Sequence, residues 1–287
     1  MPELPEVEVV RISLEKFIIG KKIKKVTIFD DNLRYKINRK IREIAQRQIV
    51  VSIKRKSKYL LFELSNNFTI LFHLGMTGKI FIINNDKIHK TSFYYENKYF
   101  KKHNHLSVEF SDSRKLIYND VRKFGFIKLY KNDKIELCSH LVSLGPDPLS
   151  ENFQPKYLFD RLKKTKKNIK NFLMDQKHIA GVGNIYANEI LHSSSINPRK
   201  ITSTVNYRSA KVLNKNIKSI LKSSIRHGGS SIKDFSGISG KSGQYQQKFR
   251  VYDREGRKCK KTGCKGIVRK IYISNRSSFF CPKCQKY

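Results

Sequence analysis

The chain of 287 residues is long enough for about two domains with cores of their own. It carries 60 Lys and Arg against 23 Asp and Glu, a formal net charge of +37 that points to a polyanionic partner, although an abundance of Lys, Asn, Ile, Phe and Tyr makes part of that magnitude compositional. No run approaches the ~18 apolar residues of a membrane span, the N-terminus is acidic rather than signal-like, and five cysteines make no disulfide framework in so long a chain, so a reducing, cytoplasmic setting is expected.

The opening "MPELPEVEVV" has the marks of a helix start, with proline near the first helical position and acids where the dipole favours them. It also admits a chemical reading. The initiator methionine is commonly trimmed before a small residue, which would leave Pro2 with a free secondary amine beside Glu3. Apolar spacing then predicts one helix over 4–19, with Val7, Val10, Leu14, Phe17 and Ile18 on one face and Gly20 as its stop. Short β-like runs follow to about residue 130: "KKIKKVTIFD", "YLLFEL", the pair "TILFHL" and "KIFII" joined by Gly75-Met76-Thr77-Gly78, then "HLSVEF" and "KLIYND" around a polar turn, and "FGFIKLY". Many short strands with turn signals predict a β-sandwich or barrel.

Three of the seven prolines, Pro146, Pro148 and Pro155, cluster in "SLGPDPLSENFQP", the composition of a domain linker. Beyond it, "YRSAKVLNKNIKSILKSSIRHGG" carries Ala210, Leu213, Ile217, Ile220, Leu221 and Ile225 at helical spacing and closes on Gly228-Gly229. Residues 236–246 are Gly/Ser-rich and read as a mobile loop.

Cys259 and Cys264 are followed by the C-x-x-C of Cys281 and Cys284, two pairs suited to one tetrahedral Zn²⁺ held by four thiolates. With every position taken by protein, that ion would be structural. Disulfide pairing is the weaker alternative in a chain without secretion signals. The two β-like segments between the pairs, around Ser274-Asn275-Arg276, would offer Arg269, Lys270 and Arg276 to a phosphate backbone; any one arginine there, taken alone, is better read as a solvated surface charge. Gly181 and Gly183 open a turn into a helix near Ile185, downstream of the basic run "KKTKKNIK", an arrangement that can hold a phosphate. Cys138 reads as a core residue. His103 and His105 are weak metal candidates with no further ligand nearby. Met76 at a turn and Arg122, Lys123 and Phe124 in "NDVRKFG" could wedge into a base stack opened by an extruded nucleotide; singly, each is ordinary core or surface.

Together, "PELPEVE", "KYLL", "HLGMTG", "DVRKFG", "LGPDPL", "GVGNIYANE", "GGSSIKDF" and the terminal cysteines resemble the formamidopyrimidine-DNA glycosylases, in that family's order and over nearly the whole chain. The related endonuclease VIII type begins PEGPE, and Leu4 favours the purine-repair branch. The resemblance implies an α+β multidomain fold: an N-terminal β-sandwich catalytic domain with a leading helix over 1–135, a helix–two-turn–helix DNA-binding domain over 150–235 and a zinc hairpin over 245–287. It implies an enzyme that acts on duplex DNA containing oxidised purines or abasic sites, excising 8-oxoguanine and formamidopyrimidines and then cutting the strand by β,δ-elimination; a monomer is expected.

By matched position, Pro2 is the implied Schiff-base nucleophile and Glu3 its proton donor, with Lys58 serving β-elimination and Arg276 δ-elimination. Met76, Arg122 and Phe124 are the implied void-filling residues. His103, Lys170 and Asn184 are the implied backbone contacts, and Cys259, Cys264, Cys281 and Cys284 the ligands of one structural zinc. The sequence departs from the family pattern in the C-x-x-x-x-C spacing of the first cysteine pair, in serines where threonine is common in "GGSSIKDF", and in Asn104 beside His103 where aspartate is common. Two rivals stand beside this expectation: an endonuclease VIII-like enzyme for oxidised pyrimidines, and a non-catalytic DNA-binding zinc protein.

Overall fold

The computed structural model describes residues 1–84, 87–90, 101–230 and 244–286. The chain divides into two compact units, one of residues 1–142 with 227–246, the other of residues 143–226 with 247–287.

The first unit opens with helix α1 (Leu4–Ile18), whose Val7, Val10, Leu14 and Ile18 are buried as the apolar spacing requires. Gly20, with φ of +75°, turns the chain away after it. Strand β1 (Ile23–Ile28), the short helix α2 (Ile41–Ala45), β2 (Val50–Lys56), β3 (Tyr59–Leu64), β4 (Phe68–His73), β5 (Lys79–Asn84) and β6 (Lys87–Lys90) follow, then β7 (Asn104–Phe110), β8 (Lys115–Asn119), β9 (Phe126–Lys131) and the single turn α3 (Asn132–Ile135). They build two antiparallel sheets, of order β1-β7-β8-β5-β6 and β2-β3-β4-β9.

One apolar cluster takes Val26, Ile82, Leu106 and Tyr118 from the first sheet, Ile53, Leu60, Phe72 and Ile127 from the second, and Val10 and Leu14 from α1. That shared core makes the pair a sandwich with a leading helix, as expected. The turn Gly75–Gly78 does join β4 to β5, but it carries the chain from one sheet to the other: β4 pairs with β3 and β9, while β5 pairs with β8 and β6. A hairpin between them would have put both strands in one sheet; burying both on inner faces of different sheets gives each a full set of apolar neighbours.

The second unit holds α4 (Pro155–Lys163), α5 (Ile169–Met174), α6 (Asn184–Ser193), α7 (Tyr207–Arg226) and the hairpin β10 (Arg269–Ile273) and β11 (Arg276–Phe280). Leu158 and Leu162 of α4 are fully buried, as are Leu213, Ile217 and Leu221 of α7. Asn168 caps α5 by accepting from the Asn171 N–H at 2.9 Å. The β10–β11 turn places Ser274 and Asn275 at φ of 47° and 58°, the two left-handed residues of a type I′ hairpin.

The stretch expected as a loop over 236–246 lies outside the described residues up to 243, and Tyr245–Lys248 forms a single 3₁₀ turn. Among the described residues no helix is long and apolar enough to cross a membrane.

Candidate functional site

The N-terminus is latched from far along the chain. Glu3 stands in the β region as the N-cap of α1, and Pro5 occupies the first turn, where its missing N–H costs nothing. Pro2, Glu3 and Glu6 are all buried, whereas Met1 is 47 % exposed. Glu6 Oε2 accepts from the Glu3 N–H at 3.0 Å, and its Oε1 accepts from the Ser230 N–H at 2.8 Å and the Ser230 hydroxyl at 2.9 Å. The bond to Glu3 fixes the peptide that follows Pro2, and so the direction in which the Pro2 nitrogen faces. Gly229 makes the latch possible: its φ is +78°, and a Cβ there would lie 3.2 Å from Glu6 Oε1. Sequence reasoning pointed to Pro2 and Glu3 but not to Glu6 as their anchor, because its partner lies 224 positions away.

Met76 and the Arg122–Phe124 segment come together through two devices. Gly75, at φ of +60°, packs so closely that an added Cβ would meet Gly125 N at 2.4 Å and Phe124 C at 2.5 Å. Asp120, fully buried, accepts from the Gly125 N–H at 2.8 Å through one oxygen; the other accepts from the Thr77 hydroxyl and, at 3.3 Å, from the Arg122 N–H. The Arg122 guanidinium lies 4.6 Å from the centre of the exposed Phe124 ring, a cation–π pair. Met1, Arg34, His73, Met76, Arg122 and Phe124 are among the residues that line an open concavity of about 640 Å³. Asp120 stands inside the quoted motif "DVRKFG", yet its role as clamp was not legible there.

His73 floors this region. Its Nδ1 accepts from the Gly75 N–H at 3.2 Å and its ring stacks on Phe126, with centroids 5.1 Å apart. Burial, with the positive charges of Lys58 and Arg34 and then His140, pushes the imidazole down to about 4, so it is neutral at pH 7. Lys58 sits with Ser57 in the two-residue turn from β2 to β3 and is 7 % exposed. His103 is half-buried, held below its ordinary range by burial and then Lys102. The adjacent Asn104 is buried and accepts from Asn119 Nδ2 at 2.9 Å, a neutral pair. His105 is a core residue whose ring nitrogens face the carbonyls of Asp30 at 3.2 Å and Asp120 at 2.9 Å. Cys138 is buried, as expected of a core residue.

In the second unit the structure buries Lys170 completely and places its ammonium against Ser277 O at 2.8 Å and Ser278 Oγ at 2.6 Å, tying α5 to β11. Asn184 opens α6 behind Gly183, and its buried Oδ1 has no hydrogen-bond partner among the described residues. Arg276 is exposed at the start of β11, immediately after the type I′ turn, while Arg269 is exposed and Lys270 half-buried on β10. Pro2, Glu3, Lys58, Met76, His103, Arg122 and Phe124 thus fall in one unit, and Lys170, Asn184, Arg276 and the terminal cysteines in the other.

Cys259, Cys264, Cys281 and Cys284 are free, and their four sulfurs lie within 4.8 Å of one another. Cys259 and Cys284 are 3.8 Å apart, and Cys264 and Cys281 are 3.7 Å apart. Four thiolates about 2.3 Å from a common ion would be separated by about 3.8 Å, so the residues present fit a tetrahedral metal centre. The longer first loop closes through Gly263 at φ of +73°, with the Lys261 and Gly266 N–H groups each 3.4 Å from a sulfur.

Two contacts around this module escaped the sequence reading. Glu189, buried on α6, accepts three backbone N–H bonds, from Arg250 at 2.9 Å, Val251 at 3.0 Å and Tyr252 at 2.8 Å. Asn188 Oδ1 accepts from the Phe279 N–H at 2.8 Å. Together they dock the small cluster of Val251, Val268 and Phe279 onto α6.

Comparison with known proteins agrees with this architecture. Residues 1–127 match the formamidopyrimidine-DNA glycosylase N-terminal domain, and residues 144–236 match the H2TH domain of the same enzymes. A formamidopyrimidine-DNA glycosylase of Rickettsia bellii is 38 % identical over 286 residues, covering 100 % of both chains. The crystal structure of the Lactococcus lactis protein with DNA containing an abasic site superposes with a TM-score of 0.85 at 33 % identity, over 99 % of this chain and 100 % of that one. The wild-type Lactococcus lactis protein with DNA containing N7-benzyl-Fapy-dG gives 0.86 at 34 % identity, covering 100 % of both chains. The β-sandwich, the helix–two-turn–helix region and the four-cysteine hairpin are therefore those of a known enzyme fold, and the chain belongs to the formamidopyrimidine-DNA glycosylase family.

Proposed function

We propose that this chain removes oxidised purines, 8-oxoguanine and formamidopyrimidines, from duplex DNA and then cleaves the abasic strand by β,δ-elimination. The observation that carries the reading is the buried Pro2-Glu3 pair latched by Glu6 to Ser230, in the same unit as the Met76 and Arg122–Phe124 concavity.

Removal of Met1 gives Pro2 a terminal secondary amine. Such an amine titrates near 8 rather than the ~10.4 of lysine, so at pH 7 far more of it is nucleophilic free base. Its lone pair attacks C1′ and the base departs with a proton; the C1′–O4′ bond then opens, O4′ taking up a proton, to give an iminium that acidifies the C2′ proton, whose loss expels the 3′ phosphate. Loss of a further proton expels the 5′ phosphate. Glu3, buried beside Pro2, moves the proton that the sugar ring requires. Lys58 serves β-elimination, and Arg276, always charged and exposed on its hairpin, binds phosphate for the second elimination.

Met76, Arg122 and Phe124 fill the void left by the extruded base. His103, Lys170 and Asn184 bear on the DNA backbone, Lys170 through the hairpin strand it holds. Cys259, Cys264, Cys281 and Cys284 hold one Zn²⁺, which supplies folding energy to a hairpin whose own apolar cluster is small. The three functional segments of this reading span 1–135, 150–235 and 245–287, and the enzyme works as a cytoplasmic monomer.

Borohydride trapping on an abasic-site duplex tests the mechanism, because reduction turns the imine into a covalent protein–DNA adduct. Pro2→Gly or an N-terminal extension should abolish or greatly weaken the adduct; undiminished trapping would assign the nucleophile to a lysine. Parallel assays on 8-oxoguanine and thymine-glycol duplexes test the substrate class, and preference for thymine glycol would overturn the purine assignment.

A further inference from the structure

The cysteine cluster has a fifth polar neighbour, His192. The side chain projects from α6 and is fully buried. A polar ring nitrogen removed from water costs free energy unless something partners it. Among the described residues, Nδ1 has no hydrogen-bond partner. Nε2 faces sulfur, 3.2 Å from Cys259 Sγ and 3.8 Å from Cys284 Sγ. A neutral imidazole carries one proton, and of the two nitrogens only Nε2 has an atom in reach to receive it. A protonated thiol accepts weakly, whereas a thiolate accepts well.

We propose that His192 donates an Nε2–H···Sγ hydrogen bond to the Cys259 thiolate, with Cys284 as the second and longer acceptor, and thereby sets the metal affinity and the chemical reactivity of the cluster. The inference rests on the reading that the four thiolates hold a metal ion. His192 is a positioning residue in this role: it lies outside the four-sulfur set and acts through Cys259. A donor on a metal-bound thiolate draws density off the sulfur, which lowers its nucleophilicity toward electrophiles and neutralises part of the charge gathered around the ion. It also fixes the Cys259 rotamer from a rigid helix, as outer partners of metal ligands commonly do. The Glu189 and Asn188 contacts on the same helix hold α6 against the module, so the donor is aimed by the fold rather than by a loop.

Full-length protein purified with its metal, the His192→Phe variant and the His192→Gln variant test this. Phe keeps bulk without a donor, and Gln keeps an N–H donor. Metal content is measured first: wild-type protein without one bound ion per chain overturns the metal reading and this inference with it. In metal-loaded protein, His192→Phe should yield its ion to a competing chelator about 10- to 100-fold more readily. It should also shift the sulfur-to-metal charge-transfer bands of the Co²⁺ form to lower energy and be alkylated faster by N-ethylmaleimide. His192→Gln should lie between Phe and wild type on all three readouts, a graded rescue that lost packing alone would not give.

Metal-loaded His192→Phe with unchanged bands, unchanged chelator competition and unchanged alkylation overturns the inference and leaves the metal reading standing. Loss of a nitrogen ligand signature from the Co²⁺ spectrum of His192→Phe overturns it in a different way, by making His192 a ligand. If His192→Phe does not fold, His192→Gln decides alone: chelator competition, band energy and alkylation shifted partway from wild type in the directions given above support the donor, and values equal to those of wild type overturn it.

Discussion

Replacing Glu6 by glutamine isolates the latch that orients the N-terminus. The carboxylate accepts three hydrogen bonds, from Glu3 N–H, Ser230 N–H and the Ser230 hydroxyl, and all three partners are buried. Glutamine is nearly isosteric but has a single acceptor oxygen. If that oxygen stays with Ser230, the new NH₂ group faces the Glu3 N–H, donor against donor. One buried donor left unmatched costs about 1–3 kcal/mol, and replacing charged by neutral acceptance toward Ser230 adds to it. Because the orphaned donor is the peptide N–H next to Pro2, the cost falls on the geometry of the proposed nucleophile; at about 1.4 kcal/mol per tenfold it corresponds to a roughly 5- to 150-fold slower reaction. Single-turnover borohydride trapping on an abasic-site duplex at 25 °C reads this rate, and circular dichroism and thermal unfolding confirm that the fold survives. Glu6→Gln protein that is folded and traps within twofold of wild type would refute the latch as a positioning device.

Three further outcomes follow from the same contacts. His73 is held near 4, below the ordinary ~6.5, so between those pH values the unfolded chain binds more protons and stability rises with pH; lowering the pH from 7 to 5 should remove about 2 kcal/mol through this residue. His73→Asn, which keeps an acceptor for the Gly75 N–H, should show that much less pH dependence in urea unfolding, and an unchanged dependence would refute the assignment. Gly75→Ala combines a left-handed backbone with a Cβ 2.4 Å from Gly125 N, and should destabilise the first unit by about 2–5 kcal/mol in thermal unfolding. Cys281→Ala, at a fully buried position, should lose the metal and expose the Val251–Val268–Phe279 cluster to protease; unchanged metal content would refute the four-thiolate centre.

What the sequence made legible was local. The expected helix over 4–19 is Leu4–Ile18, the expected α7 ends at Arg226 ahead of its two glycines, and the Ser274-Asn275 turn has the type I′ geometry that joins its two strands. Each is written in a short window by periodicity, a stop residue or turn chemistry. What escaped depends on residues far apart in sequence. The β4–β5 connection looks identical in sequence whether the strands share a sheet or face each other across the core. Asp120, Glu189, Glu6 and His192 read as an acid in a loop and polar residues on helices until the fold supplies the N–H groups and sulfurs they meet. Lys170 stood in a basic run read as suited to a phosphate, and only the structure shows its ammonium buried against β11.

The reach of the Glu6 latch also dictates an order of events during synthesis. Its partner Ser230 is translated 224 residues after it, a delay of about 11–45 s at roughly 5–20 residues per second. Throughout that interval the Glu6 carboxylate lacks its Ser230 partner, and the first residues are more accessible to an aminopeptidase than in the finished chain. Once Ser230 arrives, Pro2 and Glu3 are enclosed while only Met1 remains at the surface. Trimming is therefore easiest on the unfinished chain, and the amine proposed as nucleophile is latched in place only when most of the protein has been made.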